Sequence, residues 1–289
     1  VSADFKLAFN KATGTISFME YQGVKLIQKG PVFNAWRAPT DNDGIKLYPT
    51  RERWRLLAEW IEAGLDRLKQ SSVSFNIRRI DKDRAVIAVE NVFKPLHKNN
   101  GFRVNQEYQV TGSGEIAIYN KVTADKHLPR LPRIGLTMSL PREFENIAWL
   151  GRGPHENYCD RKTGAPVGLY SCTVDEMYFP YIVPQENGNR SDVRRAEASN
   201  GRGTGLRIEA PELMNFSAMH YTANDLFKAR HTCNLKPRKE VILNMDHKQR
   251  GLGGNSCGPD TLPEYDIFPG TFEFTLRFIP FTGIIHGNG

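Results

Sequence analysis

The residues able to do chemistry are gathered in a few polar stretches. Asp41, Asn42 and Asp43 lie in one; His155, Glu156, Asn157, Asp160 and Arg161 in a second; Glu186, Asn187 and Asp192 in a third. Trp36, Trp149, Tyr158, Tyr178 and Tyr181 are interleaved with them. Carboxylates and amides exchange hydrogen bonds with sugar hydroxyls, and aromatic rings cover the apolar face of a pyranose. The mixture suits a carbohydrate ligand. Short polar side chains also close loops by bonding to nearby backbone. Taken singly, each Asp or Asn is therefore read as loop-closing before it is read as ligand-binding.

Other chemistries leave no trace. There is no Gly-x-Ser-x-Gly elbow, no phosphate-cradling Gly-x-x-x-x-Gly-Lys, no His-Glu-x-x-His and no dinucleotide fingerprint. Gly251-Leu252-Gly253-Gly254 is rich in glycine but lacks a following helix pattern. The four cysteines, Cys159, Cys172, Cys233 and Cys257, form no Cys-x-x-Cys and have no histidine at zinc-ligand spacing. They are read as free thiols with ordinary packing, and no metal site is expected. Four thiols suit the cytoplasm and two disulfides the periplasm, so both compartments stay open.

The elements that must position these residues are mostly strands. Phe102, Val104, Gln106, Tyr108 and Val110 alternate with polar neighbours, as do Ile116, Ile118 and Val122, and Gly112-Ser113-Gly114 turns the chain between them. Phe272, Phe274, Leu276 and Phe278 alternate near the end of the chain. Further strands are predicted over 5–9, 15–21, 73–80, 85–93, 206–209 and 241–245. One stretch, 52–70, has Trp54, Leu57, Ile61, Leu65 and Leu68 at helical spacing, so one helix is expected around 52–69, with Gly64 tolerated inside it. Polar loops are predicted over 34–49, 151–164, 184–195 and 251–263. Many strands and one helix indicate an all-β protein, a large antiparallel β-sandwich, with residues 1–289 as a single domain.

Bulk composition limits the partners. The chain has 289 residues, 39% of them hydrophobic and 25% charged, which suits a packed core rather than disorder. No apolar run is long enough to span a membrane, and no leader pattern opens the chain. It begins at Val1 rather than Met, which is read as the start of a processed protein or of a piece of a longer one. The net charge of +7 is concentrated around Arg190, Arg194, Arg195 and Arg202 and around Lys228 to Arg250. Asp192, Glu197, Glu240 and Asp246 are mixed in, so these clusters are read as a solvated face or a surface docking on an acidic neighbour, not as a nucleic-acid patch.

Four motifs carry a resemblance to a known family. They are Trp36-Arg-Ala-Pro-Thr-Asp-Asn-Asp43; Trp149-Leu-Gly-Arg-Gly-Pro-His-Glu-Asn-Tyr158 with Asp160-Arg161; Met177-Tyr-Phe-Pro-Tyr-Ile-Val-Pro-Gln-Glu-Asn-Gly188 with Arg190; and Gly251-Leu-Gly-Gly-Asn-Ser-Cys257. In this order and spacing they resemble the small-chain, or domain-five, region of glycoside hydrolase family 2 bacterial β-galactosidases. The resemblance implies a galactose-mutarotase-like supersandwich, C-terminal to a barrel that supplies an acid/base glutamate and a nucleophilic glutamate. A retaining mechanism needs those carboxyl groups about 5–5.5 Å apart. It places both glutamates, and the Mg2+ of such enzymes, outside this chain, so Glu156 and Glu186 are not the catalytic pair and no cofactor is expected here. The expected partners are the barrel, in the same polypeptide or in a separate large subunit, galactosides such as lactose, and further copies in a homo-oligomer.

The resemblance also implies that the loops shape the mouth of the active site. The residues expected to face substrate are Arg37, Asp41, Asn42, Asp43, His155, Glu156, Asn157, Tyr158, Asp160, Arg161, Glu186, Asn187 and Cys257. The sequence departs from the family at two of its cysteines. The best-known members carry a tryptophan platform in the last Gly-rich loop, where this chain has Cys257 after a shortened loop, and a thiol cannot replace a ring face. Cys159 stands where many relatives carry proline. Two alternatives remain: an aldose 1-epimerase-like enzyme using His155 with Glu156 or Glu186, with Arg37 as a sugar contact, and a stand-alone carbohydrate-binding module.

Overall fold

The computed structural model describes residues 4–50, 52, 55–81, 83–254 and 258–283. Among the described residues every strand pairing is antiparallel. β1 (Phe5–Asn10), β2 (Thr15–Tyr21) and β3 (Val24–Lys25) form a small sheet. The other strands are β4 (Lys29–Asn34), β5 (Lys69–Ile80), β6 (Arg84–Lys94), β7 (Phe102–Thr111), β8 (Ile116–Ala124), β9 (Arg133–Leu140), β10 (Asn146–Arg152), β11 (Val167–Thr173), β12 (Arg190–Ser199), β13 (Thr204–Met219), β14 (Val241–Gln249) and β15 (Thr271–Thr282). They form one curled sheet, ordered β11-β10-β12-β13-β15-β8-β7-β6-β5, with β14, β9 and β4 branching from β13. The 16-residue β13 makes the branch. Its first half pairs with β15 and its second half with β14.

The core follows from alternation. Val104 lies opposite Val122 and Tyr108 opposite Ile118, and Phe272, Leu276 and Phe278 face Val122, Ile118 and Ile116. All are buried. Each such side chain contributes roughly 1.5–3 kcal/mol through removal from water. Gln106 and Asn120 sit in the same inner rows. The Gln106 amide donates to Asn120 at 2.8 Å, and Asn120 donates to the carbonyls of Ile118 and Phe274, so neither is buried without partners.

The helix is shorter than its apolar spacing predicts. α1 spans Leu56–Ala63, and Gly64 ends it in the left-handed conformation at φ 77°. A Cβ at Gly64 would lie 2.6 Å from Pro95, so glycine is required there on two counts. Leu65 falls in a short 3-10 turn and Leu68 beyond it, while Trp54 lies outside the described residues. Among the described residues two more helices, α2 (Val174–Met177) and α3 (Ala223–Lys228), were hidden by their length. Each begins with a capping box, Thr173 with Glu176 and Thr222 with Asp225.

The loop expected over 184–195 becomes β12 from Arg190 onward. Asp192 sits at φ 53°, and the register with β13 shifts on either side of Val193. That bulge, together with polar residues, masks the period-two signal. Two arginines assigned to a solvated face are buried: Arg190 lies 5.0 Å over the Trp149 ring, and Arg250 is fully enclosed.

Candidate functional site

The polar motifs converge at one end of the sandwich and build a cleft of about 380 Å³. Its lining is Thr40, Asp41, Asn42, Tyr158, Arg161, Tyr181, Gln185, Glu186 and the Leu252-Gly253-Gly254 backbone. The motif residues divide into those that support this cleft and those that face it.

Arg37 and Asp43 are supports. Both side chains are 0% exposed, and the guanidinium grips the carboxylate through two bonds of 3.0 and 2.7 Å. Asp43 also accepts from the Thr40 amide and hydroxyl and from Arg250. Arg37 donates onward to the carbonyls of Arg250 and Gly251. Arg250 is paired with Asp266 and Asp260, which Arg130 bridges from outside. Buried charge is tolerated only when paired and hydrogen-bonded, and here three arginines meet three aspartates. The network fixes the 251–254 backbone across Asn42, whose amide donates to the Leu252 carbonyl at 2.7 Å. Gly253, at φ 87°, leaves no room for a Cβ against Asn42 and the Pro259 carbonyl. Asp160 accepts from the Gly253 amide and the Thr261 hydroxyl, holding the loop from below.

The second motif is also largely internal. Asn157 accepts from the Ser191 amide and hydroxyl and donates to the His155 carbonyl. Asn187 is bonded to the Phe179 amide and the Gln185 carbonyl. Glu156 accepts from the Gly188 amide, Tyr158 and Tyr181. Burial, and then the Glu156 charge, push the Tyr158 phenol well up; burial and the bond to Glu156 do the same for Tyr181. Both phenols therefore stay protonated as donors. His155 is exposed and does not line the cleft. Cys257 lies outside the described residues.

Asp41, Asn42, Tyr158, Arg161 and Glu186 face the cleft. The Asp41 backbone N–H donates to the Gln185 side-chain oxygen at 3.2 Å. Burial pushes the Asp41 carboxyl up, against the bond from Gln185 and the charge of Lys46. Lys46 donates to the carbonyls of Pro184, Leu226 and Ala229, and burial lowers its ammonium to about 8. It thereby ties the Asp41 loop and the Gln185 loop to the end of α3.

Glu186 forms the floor. It accepts from Arg133 and, at 3.0 Å, from Gln249. Arg133 also lies 3.6 Å from Asp246, whose carboxyl is pushed up to about 7 by burial, opposed by Arg133 and reinforced by Glu186. Arg133 Nε and Nη1, Asp246 Oδ1 and Gln249 Oε1 have no hydrogen-bond partner among the described residues. Sequence reading passed over Arg133, Asp246, Gln249 and Gln185 as site residues. For Arg133, Asp246 and Gln249 the signal was a polar group set inside or at the end of an apolar strand, as Arg133 is before Ile134 and Asp246 after Met245, whereas Gln185 lies in the loop of the third motif. Among the described residues no cluster of His, Cys, Asp or Glu could hold a metal ion, and no helix is long and apolar enough to cross a membrane.

A family profile described as the β-galactosidase small chain matches residues 1–278. The chain belongs to the β-galactosidase small-chain family. A β-galactosidase of Priestia megaterium is 32% identical over 283 residues, covering 95% of this chain and 26% of the relative. One from Vibrio cholerae is 31% identical over 280 residues, with the same two shares. This small chain thus spans about a quarter of the length of the relatives it matches. In fold it is similar to the galactose 1-epimerase of Lactobacillus acidophilus, at 10% identity and a TM-score of 0.50 over 98% of this chain and 93% of the other. That likeness identifies the supersandwich architecture.

Proposed function

We propose that this small chain is the C-terminal sandwich of a bacterial β-galactosidase hydrolysing terminal β-D-galactosides such as lactose, with all of 1–289 acting as one domain. The observation that carries this reading is the match across residues 1–278 to a family whose relatives are about four times longer. In this reading the cleft is part of the active-site rim. Asp41, Asn42, Arg161 and Glu186 exchange hydrogen bonds with sugar hydroxyls, and Tyr158 and Tyr181 add phenol donors. At about 380 Å³ the cleft lies toward the small end of ligand sites and suits a single sugar unit.

The rim does no bond-breaking itself. Glu156 is committed to Tyr158, Tyr181 and Gly188, and Glu186 to Arg133 and Gln249. Neither is offered as a nucleophile. The retaining glutamate pair and Mg2+ are assigned to a catalytic barrel, in the same polypeptide or in a large subunit, on which the sandwich docks within a homo-oligomeric enzyme. The chain alone is expected to leave a chromogenic galactoside intact, and to support turnover once joined to the barrel polypeptide. Turnover by the 289-residue chain alone would overturn this division of labour.

A carbohydrate-binding role for the isolated chain is compatible with the same cleft. The epimerase reading gains no support from the geometry, because no histidine lines the cleft among the described residues.

A further inference from the structure

The long sheet has two ends, and they are built differently. β5 closes one end. It carries Lys69, Arg78 and Arg79, and its pairing with β6 is interrupted by two register shifts, between Gln70 and Ser72 and between Ile77 and Arg79. Charged side chains and bulges are the usual protections of an open edge against another strand. β11 closes the other end and has none of them. Its sequence, Val167-Gly-Leu-Tyr-Ser-Cys-Thr173, contains no charge and no proline, and it pairs with β10 over all seven residues without a shift. Among the described residues no strand pairs with its outer side. Every second residue therefore turns an N–H and a C=O to the open edge. Val167 and Leu169 stand on its outer face, 48% and 55% exposed.

We propose that β11 is a self-pairing edge, on which a second copy of this chain adds its own β11 antiparallel about a two-fold axis. The composition of the strand favours its own copy. With the axis at Tyr170, Val167 lies opposite Thr173 and Leu169 opposite Ser171, so no like charges face each other. The flanks are complementary as well. Near Val167 lie Arg152 and Lys162, which share the single carboxylate of Asp192 and leave that end net positive. Beyond Thr173 lie the exposed Asp175 and Glu176, which make the other end acidic. An antiparallel two-fold sets each basic end beside an acidic one. A seven-residue strand is about 24 Å long, and one strand pair of that length is a smaller contact than the roughly 1,200–2,000 Å² of stable complexes. The dimer is therefore weak and concentration-dependent.

Sedimentation velocity of the 289-residue chain across a wide concentration range tests this. The expected result is a reversible monomer–dimer equilibrium that Leu169→Lys weakens at least tenfold, while Ile77→Lys near the β5 edge leaves it unchanged. Amide hydrogen exchange supplies a second reading without any variant: alternate amides of 167–173 gain protection as concentration rises, and those of 69–80 do not. A chain that stays monomeric at every concentration, a dimer indifferent to Leu169→Lys, or protection gained at β5 instead would overturn the proposal.

Discussion

The ion network around Asp43 and the one around Glu186 both lie under the loop layer, yet they are paired to different degrees. Asp43 takes bonds from Arg37, Thr40 and Arg250, and the aspartates beyond it complete the matching of charge. Under the cleft, one guanidinium serves both Glu186 and Asp246, and four polar atoms have no partner among the described residues. Complete pairing lets a buried network hold loops in place at tolerable cost. Incomplete pairing leaves groups whose protonation and bonding respond to what occupies the cleft, and such groups concentrate at functional sites. The first network thus belongs to the fold and the second to the floor of the cleft.

The largest effect is expected from the fully paired network. Asp43→Ala strands Arg37 and Arg250 without their shared partner, and should cost about 3–5 kcal/mol in urea unfolding. Glu186→Gln keeps shape and removes one charge from beneath the cleft. It should cost less, about 1–3 kcal/mol, and should weaken sugar binding more than stability. Equal stability losses in these two variants would erase the distinction between the networks.

Asp246 gives the difference a pH signature. Its carboxyl titrates at about 7 in the folded chain and near 3.8 when unfolded, so the folded state holds the proton more tightly. The stability this supplies is fully present below about pH 4 and is lost as pH rises through about 7. Asp246→Asn should flatten that decline, so the variant gains relative to the parent between pH 5 and pH 8 in thermal unfolding midpoints. An unchanged pH slope would place the titration elsewhere. The smallest effect belongs at the wet margin of the first network. Asp260 has a side chain 41% exposed, so Asp260→Asn should cost only about 0.5–1 kcal/mol, and high salt should shrink the difference further.

Legibility followed burial geometry. β7, β8 and β15 have one buried face and one wet face, so their alternation could be read directly. β9 is buried on both faces along nearly its whole length, which abolishes alternation. β12 was obscured by its bulge at Asp192, and α1 was overextended because a stripe of leucines continues past the Gly64 cap. The motifs located the end of the molecule that carries the cleft. They could not separate Arg37 and Asp43, enclosed and bonded to each other, from Asp41 and Arg161, which face outward. Residue type is the same in both positions; only packing tells them apart. Arg133 and Asp246 were passed over for a related reason, since neither belongs to one of the four motifs and only the pairing of β9 with β14, far apart in sequence, brings them together.

The most direct test of the proposed sugar-binding role of the cleft is a galactose titration of the 15N-labelled 289-residue chain followed by amide chemical shifts. The account predicts saturable shifts at Asp41, Gln185, Glu186, Gly253 and Gly254, which disappear in Glu186→Gln. Shifts confined to another surface, such as the outer face of β5 to β8, or a response at the cleft that Glu186→Gln leaves intact, would contradict it.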